Sequence, residues 1–212
     1  MSISNGKLIE RSVDSLQKIY AVIVALAISI SIQNLLLNKT DNSFVITTSI
    51  FSYLPAFLSF IVILVPFYHG MNRHLDKCYV ERTSEDTIRG ALLFDFIVFF
   101  FEASILFAVA SSIRAGLQSF YLLGTLLVAD MAWVIVSHWI HYRKYSPTIL
   151  WWAGWNFLAI VISLFIVLLE AYPESSKMWL LFVVALSRSV ADYWSCWEFY
   201  FPKDSENNKT TG

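Results

Sequence analysis

Two cysteines, seven glycines, five prolines and a charged fraction of only 15% are what 212 residues offer. Each shortage excludes something. Seven glycines argue against glycine-rich loops that cradle phosphate, and no G-x-S-x-G, H-E-x-x-H or P-loop pattern occurs. The expectation is therefore a protein that is not an enzyme. Four histidines are too few for a histidine-rich membrane di-iron oxygenase. A net charge of −1 gives no electrostatic footprint for nucleic acid. So few charges also leave no room for a soluble domain.

What is abundant is apolar: 57% of the residues, against about 45–50% in an ordinary soluble domain. The excess comes in blocks. A helical span needs about 20 apolar residues, and six segments qualify: 19–37, 44–68, 91–112, 119–141, 148–170 and 178–201. The first follows a mixed-charge stretch and exceeds the core of a signal peptide, so it reads as a span. Pro55 and Pro66 fall inside the second. In a bundle, neighbouring helices or Ser and Thr side chains can re-satisfy the carbonyls that proline frees.

Lys and Arg set the direction, because they concentrate on the cytoplasmic side. Eleven of them (Lys7, Arg11, Lys18, Arg73, Lys77, Arg82, Arg89, Arg143, Lys144, Lys203 and Lys209) fall on one side of a six-span chain. Only Lys39, Arg114 and Lys177 fall on the other. The predicted fold is an all-α integral membrane protein: a polytopic bundle of six transmembrane helices, N-in and C-in, in a plasma membrane of the bacterial inner-membrane kind. Residues 1–18 form a cytoplasmic N-terminal segment, 19–201 the membrane domain with a cytoplasmic loop at 69–90, and 202–212 a disordered cytoplasmic tail. Cys78 and Cys196 both fall on the reducing side, where they remain thiols. Six of eight tryptophans lie near the same ends of the spans, as an interfacial belt would.

Charges also occur inside the spans. A charge at mid-bilayer costs roughly 2.5–3.5 kcal/mol on insertion scales, and such residues mark functional sites by default. Asp95 and Glu102 are seven apart on the third span, and Asp130 and Ser137 seven apart on the fourth. Asn156 and Ser163 repeat at the same interval on the fifth, and Arg188, Asp192 and Ser195 share a face of the sixth. Four polar stripes predict a common interior or a subunit interface. Glu102, Asp130 and Arg188 share a level near the midplane; Asp95, Ser137, His138, Asn156 and Asp192 form a second layer. Four carboxylates face one arginine, so the excess must be protonated, solvated or matched by a cation. Because Arg188 precedes Asp192 at i, i+4, the weaker order within a helix, Arg188 is expected to pair across helices with Asp130 or Glu102.

Three functional expectations follow. The first is an oligomeric ion- or proton-conducting channel or transporter working through Asp95, Glu102, Asp130, Arg188 and Asp192, with Ser137, His138, Asn156 and Ser195 in support. The second is a sensor or anchor subunit of the stress or phage-defence type, holding a cytosolic protein through Arg73, Lys77 and Arg82. The third is a haem or metal site on His69, His74, His138 and His141, all at cytoplasmic ends of spans. No cofactor is needed under the first two, and the partners are membrane lipid and further copies of the chain. For any single buried polar residue, interhelical hydrogen bonding is the structural alternative.

Overall fold

The computed structural model describes residues 5–37, 50–81, 89–139 and 148–202. Among these the chain is helical and contains no strand. The helices are α1 (Asn5–Leu36), α2 (Ile50–Leu75, continuing into a π-helical turn Asp76–Val80), α3 (Arg89–Ser111), α4 (Leu117–Ser137), α5 (Thr148–Leu168), α6 (Glu174–Ser195) and the short α7 (Trp197–Tyr200). Their packing closes a ring. α1 lies against α3, α3 against α4, α4 against α5, α5 against α6, α6 against α2, and α2 against α1 again.

Five helical stretches, within α1 to α5, are long and apolar enough to cross a membrane, which marks a multi-pass membrane-embedded helical protein. α6 is not one of the five. Glu174, Lys177, Arg188 and Asp192 interrupt its sequence, but it turns Leu180, Val183, Leu186, Val190 and Trp194 outward, while Arg188 and Asp192 are buried. Like the outer faces of α3 (Leu93, Ile97, Phe100) and α5 (Phe157, Val161, Phe165), its outer face is exposed and apolar. In water such a surface would be an aggregation hazard; in lipid it is ordinary.

The spans differ from the sequence expectation mainly at their ends. α1 begins at Asn5, inside the segment expected to precede the membrane. Its buried residues Val13, Leu16, Tyr20, Val24, Ala27, Ser31 and Leu35 repeat at three and four, so one continuous face packs from end to end. Residues 69–80 of the expected loop are helical, because α2 stays packed past Tyr68: His74, Leu75, Cys78 and Tyr79 are all buried. The π turn changes the angular step and aims Cys78 and Tyr79 inward. Gln17 ties α1 to this region, donating to Asp76 Oδ1 at 2.9 Å and to the Asn72 carbonyl at 3.3 Å. α6 stops at Ser195; Cys196, at φ −110° and ψ 22°, breaks the helix before α7.

Pro66 removes the N–H that would bond the Val62 carbonyl four residues back. Ser189 of α6 supplies the donor instead, Oγ to Val62 O at 2.7 Å. At the opposite end of the bundle Gly116 adopts φ 61° between α3 and α4. A side chain there would meet the carboxylate of Glu174, which accepts from the Leu117 N–H at 3.2 Å. Asn34 donates to the Ala110 carbonyl at 3.0 Å and its own carbonyl accepts from Arg114 Nε, so the ends of α1 and α3 are joined by polar contacts.

Candidate functional site

The polar stripes of α3 to α6 face one another inside a single chain. Asp95, Asn156 and Asp192 are completely covered, and Glu102, Asp130 and Arg188 are at most 3% exposed. No partner face is needed to cover them. They form two clusters with two groups between.

The first cluster is built on Asn156 of α5. Its amide Nδ2 donates to Asp130 Oδ2 on α4 at 2.5 Å, and its Oδ1 accepts from Arg188 Nε on α6 at 2.8 Å. A carboxamide suits this place because it offers a donor to the acid and an acceptor to the guanidinium at once. Arg188 then approaches Asp192 Oδ2 on its own helix, NH1 to oxygen 3.2 Å, close enough for ion pairing but without hydrogen-bond alignment. The same Asp192 oxygen accepts from Tyr200 OH at 2.9 Å. The guanidinium also lies 5.4 Å from the centre of the Phe67 ring. Direct pairing of Arg188 with Asp130 or Glu102 is therefore corrected: Asp130 is reached through Asn156, and the ion pair is the i, i+4 one, because burial on one face leaves Asp192 the nearest acid.

The second cluster surrounds Asp95. His74 Nε2 is 2.8 Å from Asp95 Oδ2, Tyr79 OH donates to that oxygen at 2.6 Å, and Trp133 Nε1 donates to Oδ1 at 2.9 Å. His74 is wholly buried and stands edge-on to Trp133 at 4.7 Å between ring centres. The count of four acids against one arginine omitted this partner. His74, weighed as a metal ligand, is the imidazole of a carboxylate–histidine pair. Cys78 Sγ lies 3.7 Å from His74 Nδ1, so thiol, imidazole and carboxylate follow in the order of a nucleophilic triad. Cys78 is 3% exposed and shares α2 and its π extension with the histidine.

Between the clusters sit Glu102 and Tyr20. Glu102 lies within electrostatic reach of both Asp130 and Asp95, and Tyr20 within reach of Glu102 and Asp130. Among the described residues Glu102 Oε1 and Tyr20 OH have no hydrogen-bond partner. The tyrosine ring stacks on Tyr68 at 6.0 Å.

The supporting residues divide. Ser137 is buried with its hydroxyl unpartnered, and His138 packs edge-on against Trp139; neither is hydrogen-bonded to the carboxylates. Ser195 donates to the Asp192 carbonyl at 3.3 Å and accepts from Trp155 Nε1 at 3.0 Å. Arg73 and Lys77, expected on a docking surface, are engaged by the end of the chain itself. Arg73 Nε donates to the Phe199 carbonyl at 3.0 Å, its NH1 to Glu81 at 2.7 Å, and Lys77 stands 5.1 Å over the Phe199 ring. Arg82 and His141 lie outside the described residues. His69 contacts Tyr193 OH at 3.3 Å and packs on Tyr200, away from the Asp95 partner of His74. Among the described residues no group of three or more His, Cys, Asp or Glu is placed to hold a metal ion. Of the expected tryptophan belt, Trp139, Trp151, Trp194 and Trp197 are exposed, whereas Trp152 is buried against Phe199 and Tyr200.

Sequence reasoning passed over Tyr20, Tyr79, Trp133 and Tyr200. One signal was available: a buried Tyr or Trp carries a polar tip that seeks a partner, and Tyr200 follows Asp192 by eight residues, about two turns.

No protein-family model, no curated protein and no solved structure matches this chain.

Proposed function

We propose that the chain is a six-span, non-enzymatic protein of a bacterial inner membrane, N-in and C-in, that passes protons or a small cation through its own interior. α6 is the sixth span in this reading: its apolar residues face lipid, and Arg188 and Asp192 face the ring. The observation that carries the proposal is Glu102. It is a carboxyl group 2% exposed, with an oxygen that no donor among the described residues reaches, within electrostatic reach of a second buried acid, Asp130. A purely structural acid would be expected to have its acceptors used. Asp95 is such an acid, with three donors around it.

Asp130, Asn156, Arg188, Asp192 and Tyr200 then make a run of polar groups from α4 to the end of the chain. Glu102 and Asp130 hold the proton or cation, while Arg188 and Asp192 balance the charge that remains. The test is flux in proteoliposomes with a pH-sensitive dye inside. Wild type should dissipate an imposed pH or cation gradient, and Glu102→Gln should not. A reconstituted wild-type protein that passes nothing at any pH or potential refutes the reading.

A further inference from the structure

Where α1 and α3 run side by side, an open groove of about 550 Å³ lies between them at the end where α3 starts. Its walls include Leu8, Arg11, Ser15 and Ile19 on α1, and Leu93 and Phe96 on α3. Leu8, Arg11, Ile19 and Leu93 are exposed, so the groove opens on the outer surface of the bundle. Its depth in a bilayer follows from the far end of the same two helices. There Asn34 donates to the Ala110 carbonyl and Arg114 to the Asn34 carbonyl, which marks a polar edge. A hydrocarbon layer of about 30 Å takes about 20 residues at 1.5 Å each. Counted back from Asn34 and Ala110, that distance reaches Asp14 on α1 and residue 90 on α3. Ile19, Leu93 and Phe96 therefore lie within the acyl layer. Arg11 lies about 5 Å beyond it, inside a headgroup layer about 5–7 Å deep.

Arg11 is the one charged residue lining the groove. At about 100° per residue, Leu8, Arg11, Ser12, Ser15 and Ile19 share a face of α1, and Glu10 lies on the opposite side. Asp14 is also turned away and pairs with Lys18 at 2.6 Å. Ser12 and Ser15 donate to the carbonyls of Leu8 and Arg11 at 2.9 and 2.8 Å. Their protons are spent within the helix, so the guanidinium alone is left to meet an anion. Among the described residues no acid pairs with it. A cation at headgroup level above an apolar channel matches the two halves of a phospholipid. No acid on this face would meet the ammonium of a zwitterionic headgroup, so a net negative headgroup fits best.

We propose that this groove holds one glycerophospholipid of net negative charge, its phosphate on Arg11 and the start of an acyl chain along Ile19, Leu93 and Phe96. The planar fork of a guanidinium pairs with two phosphate oxygens at once. The lipid then fills the gap between α1 and α3 at the level where the charged start of α1 leaves the membrane. Binding is independent of the flux reading and is measured without any gradient.

The test uses purified protein in phosphatidylcholine nanodiscs. The probe is phosphatidylglycerol with a diazirine near the start of one acyl chain, and mass spectrometry places the adducts. Label is expected on Ile19, Leu93 and Phe96, and unlabelled phosphatidylglycerol should remove it far better than added phosphatidylcholine. Arg11→Gln should cut labelling about fivefold. Arg11 is exposed, so the substitution leaves the core packing untouched. Glu10→Gln, on the opposite side of α1, should label like wild type. The proposal is overturned if Arg11→Gln labels like wild type, if Glu10→Gln changes labelling as much as Arg11→Gln does, or if phosphatidylcholine competes as well as phosphatidylglycerol. It is equally overturned if soluble glycerol phosphate clears the label, or if adducts spread evenly over Phe100, Phe157 and Phe165 on the lipid-facing surface.

Discussion

Ser189 on α6 donates to the carbonyl of Val62, the acceptor that Pro66 leaves empty on α2. The contact ties helices far apart in sequence. It also gives a sharp prediction. Ser189→Ala leaves a buried carbonyl bare and should lower stability by about 1 kcal/mol in a detergent unfolding titration. In a Pro66→Ala background the helix can supply its own N–H, and the same serine substitution should cost markedly less. Equal costs in both backgrounds would mean the serine does not compensate for the proline.

Glu102 and Asp130 should separate in stability even if both matter for flux. Asp130 accepts from Asn156, whereas Glu102 Oε1 accepts from nothing. Glu102→Gln should leave stability within about 0.5 kcal/mol of wild type or raise it, since burying an unpaired charge is costly. Asn156→Ala removes the group between Asp130 and Arg188 and should cost more than Ser189→Ala, on the order of 2 kcal/mol or above. The same unfolding titration ranks all three. Glu102→Gln as the least stable of them would contradict the geometry.

Asp95 anchors three donors from two helical segments, so its loss is the severest substitution expected. Asp95→Ala should cost about 3–5 kcal/mol, and Tyr79→Phe, which removes one donor, about 1 kcal/mol. Asp95→Asn retains the size and an acceptor and should fall between them. Trp133 fluorescence should shift with the first and barely with the second, because its indole N–H loses its acceptor only in the first. Tyr79→Phe proving as damaging as Asp95→Ala would reverse this assignment.

Gly70 faces the ring of Trp152 so closely that any added Cβ would fall on it. Gly70→Ala should therefore cost about 1–3 kcal/mol by overpacking. Trp152→Phe alone opens space; combined with Gly70→Ala it should recover part of the loss. An alanine tolerated in the wild-type background would show that α2 and α5 can part without penalty.

Much of this interior is visible in spacing alone. Residues seven apart share a helix face, which placed Asp95 with Glu102 and Asp130 with Ser137 before any neighbour was known. Prolines inside an apolar run are equally readable. Cross-helix partners were not. That His74 meets Asp95 depends on α2 and α3 being neighbours at that level and on a π turn just beyond, and neither leaves a periodic trace. Asn156 looked like a minor member of a layer because an amide carries no charge, yet its two-sided hydrogen bonding makes it the link between α4 and α6. The start of α1 was hidden for another reason. Lys7, Glu10, Arg11, Asp14 and Lys18 lower the local hydropathy, while the buried face through Val13 and Leu16 runs on beneath them.

The ring closes out of sequence order. α2 emerges early yet lies between α1 and α6, so one of its flanks stays open until α6 has been synthesised. The acids of α3 and α4 are likewise made before the only arginine in the network, and Val62 waits for Ser189. Among the described long helices α6 is thus the last to join the ring, and its Arg188 and Ser189 meet acceptors on α5 and α2 that are made before it. Closure of the ring therefore waits on α6: without it the Val62 carbonyl and the Asn156 Oδ1 lack the donors that Ser189 and Arg188 bring.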